Sequence, residues 1–345
     1  MPYRRKDTIQ QPNLLVCSWG RVMKFGLSLV LILAATPSIA EPAAGVAYLH
    51  DTSVEERPLS MSIWYPSEEK ASATIGGNPV FKGVSATRDA QFPKGALPLV
   101  VVSHGGLRSA TDSGAWLSSS IAQAGYVVVE LNGPRPDNAA IALNEIWQRP
   151  QDIHRAIDLV QADATWAPRI DESKVSVVGF ALGATAALSV AGAEMDVGEY
   201  MRSCATGSES EGPDCGWYAA QGVTLSETSQ EGLAGLARDP RVTSVVAINA
   251  EYPAVLGSVA EDIGALRIYL GTTDAAAGGD QADRSVVIPD ASIFDAFAVC
   301  TPTGPDILAA EDGDSSICGV SAEIRESIHL ETAQAVISFL RDHSE

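Results

Sequence analysis

Three apolar runs constrain this chain most: "LPLVVVS" at 97–103, "YVVVEL" at 126–131 and "KVSVV" at 174–178. Unbroken rather than alternating apolar character marks a strand covered on both faces, as strands in parallel sheets are. Helical patterns separate the runs. Residues 115–124 read as one helix, and 146–162 as another with Ile153, Ala156, Ile157 and Val160 on one face. A helix from Leu182 to about Ala193 follows the third run. Strands resume at 242–248, 266–270 and 285–288, and a helix over 324–342 closes the chain. This alternation predicts an α/β fold, a mainly parallel central sheet with helices on both faces. Residues 46–50 and 59–65 predict an antiparallel pair added at one edge. Residues 66–95 read as loop, and 195–235 as a cap-like insertion.

The N-terminus reads as an export signal. Arg21 and Lys24 precede an apolar run over 25–35, and Ser38-Ile39-Ala40 has the small-x-small pattern of a signal-peptidase site. The expected organisation is a signal peptide over 1–40, with Met23 as a candidate true start, and one α/β domain over 41–345. An uncleaved anchor is the alternative. With cleavage after Ala40 the mature protein is expected in the periplasm or secreted, with no membrane association. The chain carries 23 basic and 43 acidic residues, a net charge of −20, which argues against nucleic acid and anionic membrane surfaces as partners.

Four cysteines follow the leader: Cys204, Cys215, Cys300 and Cys318. An even number in an exported chain points to disulfides, with three pairings open. The local pairs, Cys204 with Cys215 and Cys300 with Cys318, are expected because each would close a loop rich in Gly, Ser, Pro and acidic residues. Zinc ligation is the alternative, but no histidine stands at zinc spacing near them. No metal and no cofactor is expected.

Chemistry in such sheets gathers at the carboxyl ends of the strands. The third run leads into "GFALG", Gly179 to Gly183, where the sharp turn of a Gly-x-Ser-x-Gly nucleophile motif would fall. Gly179, Gly183 and the small Ala184 supply the room such a turn needs, but its middle residue is Ala181. The steric signature is present and the nucleophile is not.

Taken in order, "LPLVVVSHGGLRSATDSGAWLSSSIAQAGYVVVELNGP", "RPQDIHRAIDLV" and "VSVVGFALGATAALSVAGA" resemble the α/β-hydrolase superfamily. More narrowly, they are similar to exported dienelactone-hydrolase-like proteins related to platelet-activating-factor acetylhydrolase, and "RPLSMSIWYPSEE" fits that group as well. The resemblance covers roughly residues 44–342. It implies an α/β-hydrolase fold and a catalytic serine, acid and histidine in that chain order. Carried over by position, the serine place is Ala181. The acid place, in "AINA", is Asn249, and the histidine place, in "DASIFDAFAVC", is Ile293. Each of these replacements removes the function that the resemblance assigns to its place. Other α/β-hydrolases take the acid from the end of the next strand, where Asp274 would be an intact one. An oxyanion hole needs only backbone N–H groups, here those of Leu182 and Gly106, with Phe180 and His104 beside them.

The expectation is therefore a non-catalytic hydrolase homologue that binds a small acyl or carboxylate ligand, or a protein partner the sequence does not name. The alternative is a carboxylic ester or lactone hydrolase working through activated water or another non-standard nucleophile, with His104 or Asp274 assisting.

Overall fold

The apolar runs become adjacent strands, and their side chains divide strictly between two cores. The computed structural model describes residues 43–107, 109–204, 214–272, 284–311 and 313–344. Its ten strands are β1 (Ala44–Asp51), β2 (Leu59–Tyr65), β3 (Ala73–Ile75), β4 (Val84–Arg88), β5 (Leu97–Ser103), β6 (Val127–Asn132), β7 (Ile170–Phe180), β8 (Val242–Ile248), β9 (Gly264–Leu270) and β10 (Arg284–Ile288). They form one sheet in the order β10-β9-β8-β7-β5-β6-β2-β1-β4-β3. All pairings from β6 through β5, β7, β8 and β9 to β10 are parallel. β2 joins β6 and β1 antiparallel, as the edge pair predicted. The segment expected to be loop over 66–95 instead carries β3 and β4. Their backbone groups extend the β1 edge, a pairing that local sequence does not encode.

Along β5, Leu99 and Val101 face one core while Val100 and Val102 face the other. β7 divides in the same way, Val175 and Val177 against Val178 and Phe180. The first core is closed by α3 (Glu145–Ala162) and α4 (Leu182–Val190). The second is closed by α1 (Ala115–Gln123) and the C-terminal helix α9 (Ala322–Asp342). Both faces being covered is the physical reason that no polar alternation appears in these strands.

A third, smaller core belongs to the insertion. It joins Tyr200 of α5 (Val197–Ser203), Tyr218 of α6 (Cys215–Ala220) and Leu233 of α7 (Gln230–Ala234) to Ile146, Leu107 and Leu182. The insertion thus rests on the same residues that flank the Ala181 turn. The disulfide Cys204–Cys215 ties α5 to α6. A second disulfide, Cys300–Cys318, closes the loop that carries the short helix α8 (Gly304–Ala310). Both local pairings match the sequence expectation. The leader, Met23 and Ala40 lie outside the described residues. Among the described residues no helix is long and apolar enough to cross a membrane.

A buried carboxyl interrupts the apolar run of β6. Glu130 of β6 is fully buried and accepts from Trp64 Nε1 (3.1 Å) and from the backbone N–H of Gly114 (2.8 Å), at the start of α1. Burial, with the charge of Asp112 adding to it, pushes its carboxyl up to about 8.

The tightest packing is at β7–α4. A Cβ on Gly183 would overlap the carbonyl of Ser103 in β5, and one on Gly179 would overlap the carbonyl of Gly183. Gly183→Ala is expected to cost about 1–3 kcal/mol, the usual range for overpacking. Urea unfolding of the purified protein reads this, and an unchanged midpoint would contradict the packing described.

Candidate functional site

The β7–α4 turn has the backbone of a strained nucleophile elbow. Ala181 sits at φ +52°, ψ −121°, a region that side-chain-bearing residues enter at a cost of order 1–3 kcal/mol. Its N–H donates to Ile248 O of β8 (3.0 Å), and α4 begins at the next residue. The loop after β5 presses against this turn: a Cβ on Gly105 would overlap both the Phe180 carbonyl and the Ala181 methyl. Ala181 is 4% exposed and belongs to the second core, together with Phe180 and Ile248. At the place of attack there is a methyl group packed among hydrocarbon.

The backbone donor beside it faces a buried carboxyl. The Leu182 N–H, an expected oxyanion donor, has the side-chain carboxyl of Glu251 in electrostatic range but without a hydrogen bond of good geometry; Glu251 is buried and lies two positions past Asn249. The Glu251 backbone is held there as well: Thr185 Oγ1 donates to its carbonyl (2.6 Å) and its N–H reaches Ala181 O (3.4 Å). Tyr200, Tyr218 and Tyr252 feel its charge, and Tyr200 and Tyr252 pack edge to face at 5.1 Å. Desolvation pushes the Glu251 carboxyl up to about 8. Asp214 adds to that rise, while Arg149 and the Leu182 N–H oppose it. An internal carboxyl thus stands near the donor that an acyl oxyanion would need.

Asn249 does not point at a histidine. It adopts φ +44° at the end of β8, and its Oδ1 accepts the Leu270 N–H (2.6 Å) while its own N–H donates to Ile268 O (2.9 Å). It is a strut between β8 and β9. Ile293 opens a 3₁₀ turn, Ile293–Ala296, after β10 and packs its side chain against the second core. Asp274 lies outside the described residues.

The loop after β5 is fixed from behind by a side chain that sequence reasoning passed over. Arg149 donates to the carbonyls of His104 (2.7 Å) and Gly106 (3.1 Å), and Gly106 takes φ +82°. Arg149 is paired with Glu145 (3.0 Å), which Arg57 also binds (2.7 Å). Arg57 in turn binds Asp152 (2.7 Å). The "RPQDIHR" segment is thus a charged scaffold for the loop. Its spacing on one helix face was readable from sequence, but its partners were not.

His104 is a poor general base. Its ring packs against Phe180 (5.3 Å) and Phe297 (6.0 Å), and burial drives it down to about 4. It is neutral near pH 7. Nδ1 lies 2.8 Å from the Gly105 carbonyl, which can only accept, so Nδ1 carries the ring proton. Ser113 Oγ, 3.1 Å from the same nitrogen, therefore has no base there to receive its hydrogen. Nε2 is buried with the Ala296 carbonyl in electrostatic range but without a hydrogen bond of good geometry. The other histidines are occupied elsewhere. His329 Nε2 bonds Phe297 O (3.0 Å) under Trp116, His154 Nδ1 pairs with Asp239 (2.8 Å), His50 meets Ser60, and His343 meets Phe339 O. Among the described residues no cluster of metal-ligating side chains occurs.

The buried acids set a pH dependence. Glu251 and Glu130 have folded values raised from 4.5 to about 8, so their stabilising contribution is full below 4.5 and is lost as pH rises through 8. Glu251→Gln is expected to flatten part of the fall in unfolding free energy between pH 5 and 8.5, by up to a few kcal/mol at about 1.4 kcal/mol per unit. Denaturant titrations at the two pH values measure this. A wild-type curve as flat as the variant's would contradict the burial assigned to the carboxyl.

No family model matches the chain, and no curated protein is similar to it in sequence. Solved structures are similar in fold. A ferulic acid esterase from Streptomyces cinnamoneus superposes with a TM-score of 0.55 at 16% identity, over 90% of this chain and 92% of that one. A dienelactone hydrolase from Anabaena variabilis gives a TM-score of 0.44 at 14% identity, over 88% and 99%. At 16% identity the likeness to the esterase concerns architecture, and with the parallel sheet covered on both faces it gives the chain the α/β-hydrolase fold.

Proposed function

We propose that this α/β-hydrolase-fold protein is a non-catalytic homologue of ester hydrolases, exported from the cytoplasm, that binds an acyl compound without cleaving it. The observation that carries the reading is the buried methyl group of Ala181 at the elbow, with the buried carboxyl of Glu251 in electrostatic range of the Leu182 N–H. A lost nucleophile alone would leave an oxyanion hole, and such remnants retain roughly 10³–10⁴-fold rate enhancement over water. Here a buried carboxyl also stands in electrostatic range of a donor of that hole, which disfavours a second negative charge there. Asn249, tied to Leu270, and Ile293, in the second core, fill the remaining places with groups that neither carry nor stabilise a proton. The two disulfides and the leader pattern support an oxidising compartment outside the cytoplasm, periplasmic or secreted.

Hydrolysis of 4-nitrophenyl acetate tests the reading. The wild-type protein is expected to match buffer. The Ala181→Ser, Asn249→Asp, Ile293→His variant is expected to turn over slowly. Adding Glu251→Ala to it should raise kcat about 10²–10³-fold, the usual worth of one oxyanion donor. Wild-type turnover well above buffer would sink the proposal.

A further inference from the structure

We infer that the ligand site of this protein is a cleft beside the elbow rather than the elbow itself, and that it takes a neutral, ring-bearing acyl ester. This rests on the reading of the elbow as non-catalytic. The cleft has a volume of about 500 Å³, within the range of small-molecule sites. Ala181 does not line it. Phe297 stands between the two: it lines the cleft and packs its ring 5.9 Å from that of Phe180.

The walls come from three segments that covalent or ladder contacts hold in place. Trp217 projects from α6, which begins at the bridged Cys215. Leu308 and Ile317 come from the loop closed by Cys300–Cys318. Phe81 pairs in a short bridge with Cys300, flanked by Lys82 N–H to Val299 O (2.7 Å) and Thr301 N–H to Val80 O (2.8 Å). Its ring lies near-parallel to that of Phe297, 13° apart at 6.5 Å. Both disulfides therefore brace the same cavity, and its walls are ring and branched aliphatic surface.

The polar groups decide what sits there. Ser113 lines the cleft. Because the Gly105 carbonyl takes the hydrogen on Nδ1 of His104, that nitrogen offers Ser113 Oγ no lone pair, and the hydroxyl keeps its own hydrogen for a ligand acceptor. A fixed hydroxyl of this kind suits an acyl carbonyl, and with no base on it the hydroxyl does not attack. Among the described residues the charged groups lining the cleft are Arg135 and Asp214, one of each sign. The chain as a whole carries −20, which opposes the approach of an anion. An uncharged ester meets neither obstacle, and its ring finds Phe81, Phe297 and Trp217.

Equilibrium dialysis with 1-naphthyl butyrate and with 1-naphthoate tests this, with 1-naphthol release followed in the same samples. The expected result is saturable binding of the ester without naphthol, at least tenfold tighter than binding of naphthoate. Trp217→Ala should weaken ester binding at least tenfold, Trp217→Phe should retain most of it, and Ser113→Ala should lose several-fold, each with a wild-type melting curve. Absence of saturable ester binding, equal affinity for naphthoate, or a folded Trp217→Ala that binds as tightly as wild type would each overturn the assignment. Naphthol release by the wild type would overturn the non-catalytic reading instead, while the Trp217 comparison would still decide the cleft.

Discussion

The architecture depends on how closely β7, its turn and α4 approach β5. Gly183 lies against the Ser103 carbonyl, Gly179 against Gly183, and Gly105 against Phe180 and Ala181. No side chain fits at those three places, and the strained backbone of Ala181 is what remains between them. The strain persists because the contacts around it over-determine it. Such a turn is an expensive way to join a strand to a helix when nothing reactive stands on it. With a methyl group at its tip, the turn organises packing here: it seats α4 in the first core and places Leu182 under the insertion.

That placement accounts for the rest of the site. In a working hydrolase the elbow must face a space that admits substrate. Here Leu182 and Leu107 belong to the insertion's own core with Tyr200, Tyr218 and Leu233. The segment carrying Glu251 is tied to the start of α4 by Thr185 Oγ1 on its carbonyl and by its own N–H to Ala181 O, and its carboxyl is buried there. Its elevated proton affinity follows from the same burial, since a largely neutral carboxyl at pH 7 avoids the cost of an isolated buried charge. The elbow is a joint between two cores, and the open volume lies on the other side of Phe297.

Much of this was legible beforehand. The unbroken valine runs located the central strands because both their faces are covered, and the paired glycines located the elbow because only glycine fits there. The local cysteine pairs were legible because each closes a short loop. β3 and β4 were missed because their pairing is supplied by the β1 edge, not by their own residues. Glu251 was missed because a carboxylate two residues past a strand end looks like any turn acid until α4 is brought beside it. Arg149 was missed as a loop clamp because its acceptors are carbonyls 45 and 43 residues away, and carbonyls have no sequence signature.

The sequence by itself determined the layer order, the sharp turn after β7 and the absence of a nucleophile on it. These depend on residue type at one position or on periodicity along one segment. Only the tertiary structure decided that the elbow is sealed, that Asn249 is a strut, that His104 is neutral with its proton on Nδ1, and that the disulfide-braced segments meet around one cleft. Each of those depends on groups far apart in the chain arriving within hydrogen-bond or van der Waals distance, and on the desolvation that follows when they do.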